Sequence, residues 1–506
     1  MEINKYKKER KRMKKFLQPF FERHSNKILI RESGGRVLRY EETWERAEKK
    51  SREWKKSIGD DEQGRPIVLR HPNSGAMVVD LLAGWMLNKN VVPISIRMPE
   101  IQARSKISTV QPLLISTPSG WKAIKTTTLE KDQQQEHVVS KKNGGITLFT
   151  SGSSGDGDRV TLTSSNLICN LNQIEKVIAP NMIQSSDTSF SILPWSHCYG
   201  LVCELLFLIR RGASIHVPSS LTNLSKDLVA ARPTLLFTVP ILLERILQSL
   251  RFARHPYYTY ARPFFTPVLR EMILGGKLRA VSVGGARSSP ESLQMFQDTL
   301  GVLCYQGYGM TECSPMISLQ TDAYHKHGSV GKPLPGIDVY IDPSTSEILV
   351  SGDNVCKTLS PSRYIILDQK CFLKTGDTGF MDSDGFLFLS DRMSEHFKLA
   401  NGFFVHPRRI EIVYDHFRPA HVSQWVALPH PNNQHVIMIG MMNHHAVTHT
   451  MDSSELESIG KKGDLFPHEI PRSIYYMSKE ESEPFLTEKQ TPRRGLLTRY
   501  MSIHYK

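Results

Sequence analysis

The chain has 506 residues, several times what one core needs, and 40% hydrophobic, 23% charged and 8% aromatic residues, a globular composition that excludes a mostly disordered, collagen-like or disulfide-dense protein. Its 64 Lys and Arg against 50 Asp and Glu leave a net charge of +14, which favours nucleotides, phosphoanions, acidic proteins or anionic lipid as partners and says nothing of fold. The seven cysteines form an odd set without a C-x-x-C pair, which speaks against a disulfide framework or a zinc site and fits a reducing cytoplasm.

Residues 1–15 carry eight basic side chains, Lys5, Lys7, Lys8, Arg10, Lys11, Arg12, Lys14 and Lys15, against Glu2 and Glu9. They read either as a solvated tail or, joined to Phe16, Leu17, Phe20 and Phe21, as a basic then apolar segment able to rest on an anionic membrane surface. Apolar runs such as Leu201–Ile209, interrupted by Glu204, are too short to cross a bilayer, and the first residues lack the apolar centre of a secretory signal. From Val78 the pattern alternates between helical and strand-like spacing: Val78–Leu87, Val91–Ile96 and Pro112–Ser116 come first. Ser189–Leu193, Leu201–Ile209, Ser214–Val217, Leu224–Ala231, Leu235–Val239 and Ile241–Leu250 follow. That rhythm predicts a largely parallel sheet with helices on its faces. Leu278–Val283 and Gly301–Cys304 continue it into glycine-rich turns, and Thr126–Thr128 with Gln133–Gln135 reads as a polar surface connection. Beyond residue 330, short strands at Val339–Ile341, Glu347–Val350 and Phe386–Ser390 predict a smaller antiparallel layer. A second domain is expected from about Asp391, built from a helix at Pro407–His416 and strands at Trp425–Leu428 and Val436–Met441.

Three segments can carry chemistry. Thr150-Ser151-Gly152-Ser153-Ser154-Gly155-Asp156-Gly157 follows the apolar Ile146–Phe149, and such a loop can wrap backbone N–H groups and hydroxyls around phosphate oxygens; the alternative is a surface linker. Gly307-Tyr308-Gly309-Met310-Thr311-Glu312 follows Val302–Cys304, and offers an aromatic face for a purine, a hydroxyl for a phosphate and a carboxylate for Mg²⁺. Lys374-Thr375-Gly376-Asp377, with Asp391-Arg392 and then Lys398, Gly402, Pro407 and Glu411, offers an Asp at a strand end for ribose hydroxyls and an Arg to balance phosphate. Taken singly, each is also an ordinary turn or surface ion pair.

Together and in this order the segments resemble the adenylate-forming superfamily of acyl-CoA and acyl-carrier-protein synthetases, aryl-CoA ligases and peptide-synthetase adenylation domains, from about Phe20 to Tyr500. The family's T-S-G-[ST]-T-G-x-P-K-G-V and L-T-x-x-N-L map onto Thr150–Leu167, and its Y-G-x-T-E onto Tyr308–Glu312; later segments map onto Gly328–Gly336, Glu347–Val355, Thr375–Asp377 and Asp391–Glu411. The stretches Leu193–Gly200, Gly307–Pro315 and Gly328–Gly336 look most like long-chain fatty-acyl synthetases, without the H-x₄-D motif of an acyltransferase. The resemblance implies an α/β fold: a basic segment 1–20, a large multi-sheet adenylate-forming body 21–390 and a small mobile α+β domain 391–506. It also implies ATP-dependent conversion of a fatty or related acid to an acyl adenylate, then to a thioester with coenzyme A or the phosphopantetheine of an acyl carrier protein, with Mg²⁺. By the same mapping Thr150, Ser151, Gly152, Ser153, Ser154 and Gly155 hold phosphates, and Gly284, Gly285 and Ala286 enclose adenine with Tyr308 and Gly309. Thr311 touches the α-phosphate, Glu312 holds the metal, Asp377 and Arg392 bind ribose, His197 sits beside the acyl carboxylate, and Lys398 and Gly402 line the pantetheine path. The place implied is the cytoplasm, with room for a peripheral position at the inner membrane face.

Two departures stand out. The motif's Pro-Lys-Gly is Gly157-Asp158-Arg159 here, so an acid replaces the lysine and Arg159 is the nearest substitute. The family's T-x-x-G-K-x-x-R falls on Thr487–Gly495 with no lysine in register, leaving Lys489, Arg493 and Arg494 nearby. A degenerate, non-catalytic member that binds nucleotide, acyl group or carrier protein is therefore the other functional reading. His430, His435, His444, His445 and His449 lack a metal-ligand pattern, and the basic charge lacks a nucleic-acid module.

Overall fold

The computed structural model describes residues 12–59, 64–124, 144–150, 159–220, 223–250, 256–286, 288–392, 397–401, 403–405, 407–415, 417–419, 421–442, 451–463, 465–486 and 492–504. Among them the strands form five sheets. The six-stranded sheet runs Gly120–Ala123, Leu114–Thr117, Ile67–Leu69, Val91–Pro93, Gly145–Phe149, Arg159–Thr163. Its inner four strands are parallel and its two edges antiparallel. Ile67–Leu69 and Val91–Pro93 are buried along their whole length, as strands covered on both faces must be.

The nine-stranded sheet runs Lys332–Pro333, Met316–Leu319, Leu303–Gly309, Ala280–Val283, Leu235–Thr238, Thr188–Phe190, Ser214–Val217, Ile28–Glu32, Val37–Arg39. The six strands from Leu303–Gly309 to Ile28–Glu32 are parallel, so the expected βα rhythm is found. One element departs from it. The apolar run read as an ordinary helix begins as a π-helix, Tyr199–Leu206, with all eight residues buried, and turns α-helical only at Phe207–Arg211. A 3.6-residue pattern cannot reveal the wider turn.

The N-terminal helix Met13–Arg23 corrects the membrane expectation for Leu17 and Phe21. Leu17 and Phe21 are in the main core, Phe16 and Phe20 pack against it, and the Arg210 guanidinium lies 5.6 Å from both of their rings. Burial takes Leu17 and Phe21 out of reach of lipid, whereas Phe16 and Phe20 are only half-buried. Lys5, Lys7, Lys8, Arg10 and Lys11 lie outside the described residues, as do Thr126–Thr128 and Gln133–Gln135.

The antiparallel layer consists of Ile337–Ile341, Glu347–Gly352, Lys370–Met381 and Tyr364–Leu367, with Leu387–Arg392 also paired to Lys370–Met381. Asp391 and Arg392 close that last strand. From Phe397 the chain forms a hairpin, Phe397–Lys398 with Phe404–Val405, and then a sheet of Val422–Pro429, Val436–Met442 and Ser473–Met477. Helices Pro407–Asp415 and Ser453–Lys462 give Tyr414 and Leu456 to a core with Trp425, whereas Arg494–His504 gives Leu497 and Met501 to a second core with Val426 and Ile437. This is an α+β unit with its own interior.

Candidate functional site

The phosphate-loop segment connects two hairpin strands whose register runs from Gly145 opposite Thr163 to Phe149 opposite Arg159. Thr150 leaves the first strand; Ser151, Gly152, Ser153, Ser154, Gly155 and Asp158 lie outside the described residues. Arg159 opens the return strand and its Nη1 donates to the Thr109 carbonyl at 3.4 Å. Thr163 then caps the next helix in a capping box with Asn166, which satisfies N-terminal N–H groups reciprocally. The Asn166 amide also donates to the carbonyls of Asp353 at 2.7 Å and Val355 at 3.1 Å, joining the hairpin to the segment after strand Glu347–Gly352.

Gly307-Tyr308-Gly309 lies inside strand Leu303–Gly309 rather than in a turn after it, a correction to the sequence reading. The cause is the neighbouring strand Met316–Leu319, which folds back so tightly that a Cβ on Gly309 would lie 2.0 Å from the Pro315 carbonyl oxygen. Thr375-Gly376-Asp377 likewise sits within strand Lys370–Met381, not at a strand end. There Gly376 takes a positive φ of 75°, and the Thr375 hydroxyl accepts from Asp377 N at 3.1 Å. That kink turns the Asp377 carboxylate toward Tyr308, whose hydroxyl donates to Oδ2 at 2.9 Å. Burial, with Asp377 adding to it, raises the Tyr308 pKa well above the usual phenol value, so the ring stays a neutral donor. Asp377 pairs across the sheet with Arg392, so the structure brings together these three residues from distant parts of the chain.

Thr311 and Glu312 occupy a short 3₁₀ turn after Tyr308. Glu312 is only 5% exposed, and its Oε1 accepts from Arg363 Nη2 at 3.3 Å. Arg363 is a residue the motifs do not announce. Gly284 follows strand Ala280–Val283 and is buried beside the Tyr199 ring, while Gly285 and Ala286 are exposed. The Tyr199 hydroxyl donates to the Ser282 carbonyl at 3.0 Å, which fixes the ring across this turn. Next to Ser282 a small apolar cavity of about 60 Å³ opens among Met182, Ile183, Phe207, Leu235, Tyr305 and Leu319.

His197 is half-buried on the turn that precedes the π-helix, where its N–H donates to the Pro194 carbonyl and its own carbonyl accepts from Leu201. One buried and one half-buried group anchor this turn. Glu204 accepts from Ser189, Ser191 and Trp195 at 3.0, 2.9 and 3.2 Å, and Asn73 donates to the Leu193 carbonyl at 2.7 Å while accepting from Trp195 N at 2.9 Å. Burial pushes the Glu204 carboxyl up to about 8 against the pull of its three donors.

Lys398 is exposed in the small hairpin, and its carbonyl accepts from Asn433 at 2.8 Å; Gly402 lies outside the described residues. Arg494, one of the nearby basic residues, is engaged within the small domain. It is bound to Glu411 through Nη1 at 2.6 Å and Nη2 at 2.9 Å, and also donates to the Ala427 carbonyl at 3.1 Å. Lys489 lies outside the described residues, as do His444, His445 and His449. All seven cysteines are free. No described helix is long and apolar enough to cross a membrane.

Comparison with known proteins adds an independent line. Residues 17–358, more than half of the chain, match the family described as AMP-binding enzyme. Curated relatives include long-chain-fatty-acid–CoA ligase 6 of Rattus norvegicus, 29% identical over 334 residues, which are 58% of this chain and 48% of the relative. Long-chain-fatty-acid–CoA ligase 5 of Mus musculus is 27% identical over 410 residues, 70% of this chain and 59% of that protein. The chain thus spans about half the length of the curated relatives it matches. Among solved structures, ATP-bound MatB from Rhodopseudomonas palustris superposes with a TM-score of 0.73 at 20% identity, covering 96% of this chain and 99% of that one, which shows a shared fold.

Proposed function

We propose that this chain, which belongs to the AMP-binding enzyme family, uses ATP to convert a fatty or related carboxylic acid to an acyl adenylate and then to a thioester with coenzyme A or an acyl carrier protein. The observation that carries the reading is the Tyr308–Asp377 hydrogen bond, with Arg392 across the strand. Two motifs 69 residues apart meet through it at one corner of the body. In that corner Tyr308 and the Gly284–Ala286 turn enclose adenine, Asp377 accepts from ribose hydroxyls, and the Thr311 hydroxyl donates to the α-phosphate. Thr150 and residues 151–155 present further donors to the β- and γ-phosphates. The acid's carboxylate attacks the α-phosphorus with pyrophosphate leaving in line, and a pantetheine thiol then displaces AMP from the acyl carbon. The chain's residues serve this by orienting the partners and excluding water from the adenylate. The apolar lining beside Ser282 favours an aliphatic group over a polar one, and we assign His197, on a turn anchored by Asn73, to the acid's carboxylate by the motif mapping.

We put the hinge between the body, 21–390, and the small domain, 391–506, at Asp391-Arg392, where strand Leu387–Arg392 ends; its turning would bring Lys398 and Gly402 to the pantetheine path. Seven free thiols support a reducing compartment such as the cytoplasm. Residues 1–15 would add charge to any contact with an anionic membrane, with Leu17 and Phe21 spent on the core and Phe16 and Phe20 half-buried beside it. Magnesium would bring Lewis-acid polarisation of the phosphates. Glu312, a buried hard-oxygen donor whose Oε1 also accepts from Arg363, is the carboxylate that would hold it together with the phosphates.

A second reading, a nucleotide binder that does not adenylate, is favoured by one observation: Arg494, a basic residue near the absent lysine, is engaged with Glu411 within the small domain. Pyrophosphate release from ATP with a panel of medium- and long-chain fatty acids separates the two. Release that depends on the acid is expected. ATP binding without release for any acid would move the assignment to the binder.

A further inference from the structure

A cavity of about 310 Å³ lies at the far edge of the nine-stranded sheet, among the hairpin Ile28–Glu32 with Val37–Arg39, helix Tyr40–Ile58 and the N-terminal end of helix Gly75–Met86. Strand Ile28–Glu32 stands five strand spacings from Leu303–Gly309, about 24 Å in all, so this cavity is not the corner built on Tyr308 and Asp377. Its floor is apolar: Ile30, Leu38 and Val79 are 1%, 4% and 7% exposed. The end of the second helix comes in close to make it. Gly75 opens that helix, a Cβ there would lie 3.1 Å from Leu38 Cδ2, and the Gly75 N–H donates to Glu32 Oε1 at 3.0 Å.

The mouth is charged. Arg46, Lys49, Lys50 and Glu53 recur at i, i+3, i+4 and i+7 along helix Tyr40–Ile58, so one face of that helix overlooks the cavity, and Arg36 joins them from the hairpin turn. Two of the four cations are already used, since Arg46 pairs with Glu42 and Lys50 with the buried Asp80. Arg36, Lys49 and Glu53 make no ion pair among the described residues. Small-molecule sites occupy about 300–1,000 Å³, with apolar walls that hold a ligand and a few polar groups that orient it. This cavity is at the lower end of that range. Its floor suits a short aliphatic or aryl body, while Arg36 brings a fork of donors and Lys49 a point charge for a head group. Glu53, four residues after Lys49 on the same face, repels a second negative charge and so selects a monoanion over a polyphosphate.

We infer that this cavity is a second small-molecule site, for a small amphipathic carboxylate whose apolar body covers Ile30, Leu38 and Val79 and whose head group meets Arg36 and Lys49. The inference goes beyond the function proposed above and does not depend on it. Its members come from a strand, a hairpin turn and two helices, so no sequence motif announces it.

Calorimetric titration of the full chain with octanoate, without nucleotide, tests it. The chains compared are the parent, Arg36→Gln combined with Lys49→Gln, and Ala76→Leu, which narrows the cavity without touching a charge. Each variant is expected to lose about tenfold or more in affinity at one octanoate site, the worth of a charge-assisted pair or of a blocked pocket, and octyltrimethylammonium should not bind there. A parent that does not bind octanoate overturns the inference. So do three chains that bind it alike, which would mean that octanoate reaches only the acid site of the proposed reaction. Loss in only one of the two variants overturns it as well, because it leaves either a surface ion contact or an apolar pocket that does not select charge; octyltrimethylammonium binding as tightly as octanoate does the same. None of these results bears on pyrophosphate release, which tests the adenylation reading separately.

Discussion

Two arginine–carboxylate pairs, one in each part of the molecule, show how the same chemistry can be closed or open. In the small domain Arg494 meets Glu411 through two nitrogens at 2.6 and 2.9 Å, with the side chains 15% and 2% exposed, and Ala427 supplies a donor to the acid and an acceptor to the base. In the body Arg363 reaches Glu312 at 3.3 Å and stays partly in solvent. The first pair has its lone pairs and protons matched by fixed protein groups and holds a helix end to a sheet. The second is a single longer contact that leaves the arginine partly in solvent. The two differ in burial and in the number of bonds that join the partners, and those differences set how much each can contribute to stability.

The sharpest way to break the comparison is to remove the acid of the closed pair. Glu411→Ala strands a largely buried guanidinium and the Ala427 N–H, and should cost about 3–5 kcal/mol of stability, read as a lowered denaturant midpoint of the 397–504 region. If the midpoint moves by less than about 1 kcal/mol, the closed pair is no more structural than a surface contact. A smaller loss tests the carboxylate of the nucleotide corner: Asp377→Ala should weaken ATP binding by about ten- to a hundredfold, the worth of hydrogen bonds to a charged acceptor, measured by equilibrium titration. Affinity equal to the parent's would detach Asp377 from the ribose.

Glu204 extends the contrast to a buried acid without an arginine. Its carboxyl has the ordinary value of 4.5 when unfolded and about 8 when folded. The folded chain therefore binds the extra proton between those values, and stability falls as pH rises from about 4.5 to about 8. Glu204→Gln, which can keep the Trp195 and serine contacts without ionising, should lose that slope, so its melting temperature gains on the parent's across this window. Parallel melting curves at pH 5 and pH 8 would show that Glu204 is not the titrating group. The smallest effect belongs to the open pair, where Arg363→Gln should change stability by under about 1 kcal/mol, as a single partly exposed contact does.

Much of this architecture is legible from residue order, and the exceptions have physical causes. Val91–Pro93 and Leu235–Thr238 announce themselves because strands in a parallel layer are apolar throughout. Lys370–Met381 does not, since its pairing comes from neighbours on both sides while its own sequence carries charges and two glycines. Tyr308 and Asp377 are legible through spacing within short motifs, whereas their contact is a product of the fold. Arg363 is 51 residues from Glu312 and leaves no periodic or motif signal, so only coordinates could find it. Glu204 reads in the sequence as a break in an apolar run; the three donors that explain it lie on a strand and a turn upstream.

The π-helix at Tyr199–Leu206 changes how this stretch answers to chain length. A turn closed by i→i+5 bonds holds one residue more than an α-helical turn, so deleting one residue inside Tyr199–Leu206 would let the backbone close with i→i+4 bonds and leave its two flanks near their present relative rotation. Deleting one from Phe207–Arg211, where each residue turns the chain by about 100°, has no such slack and would rotate one flank against the other. The same deletion therefore has opposite consequences on the two sides of Phe207.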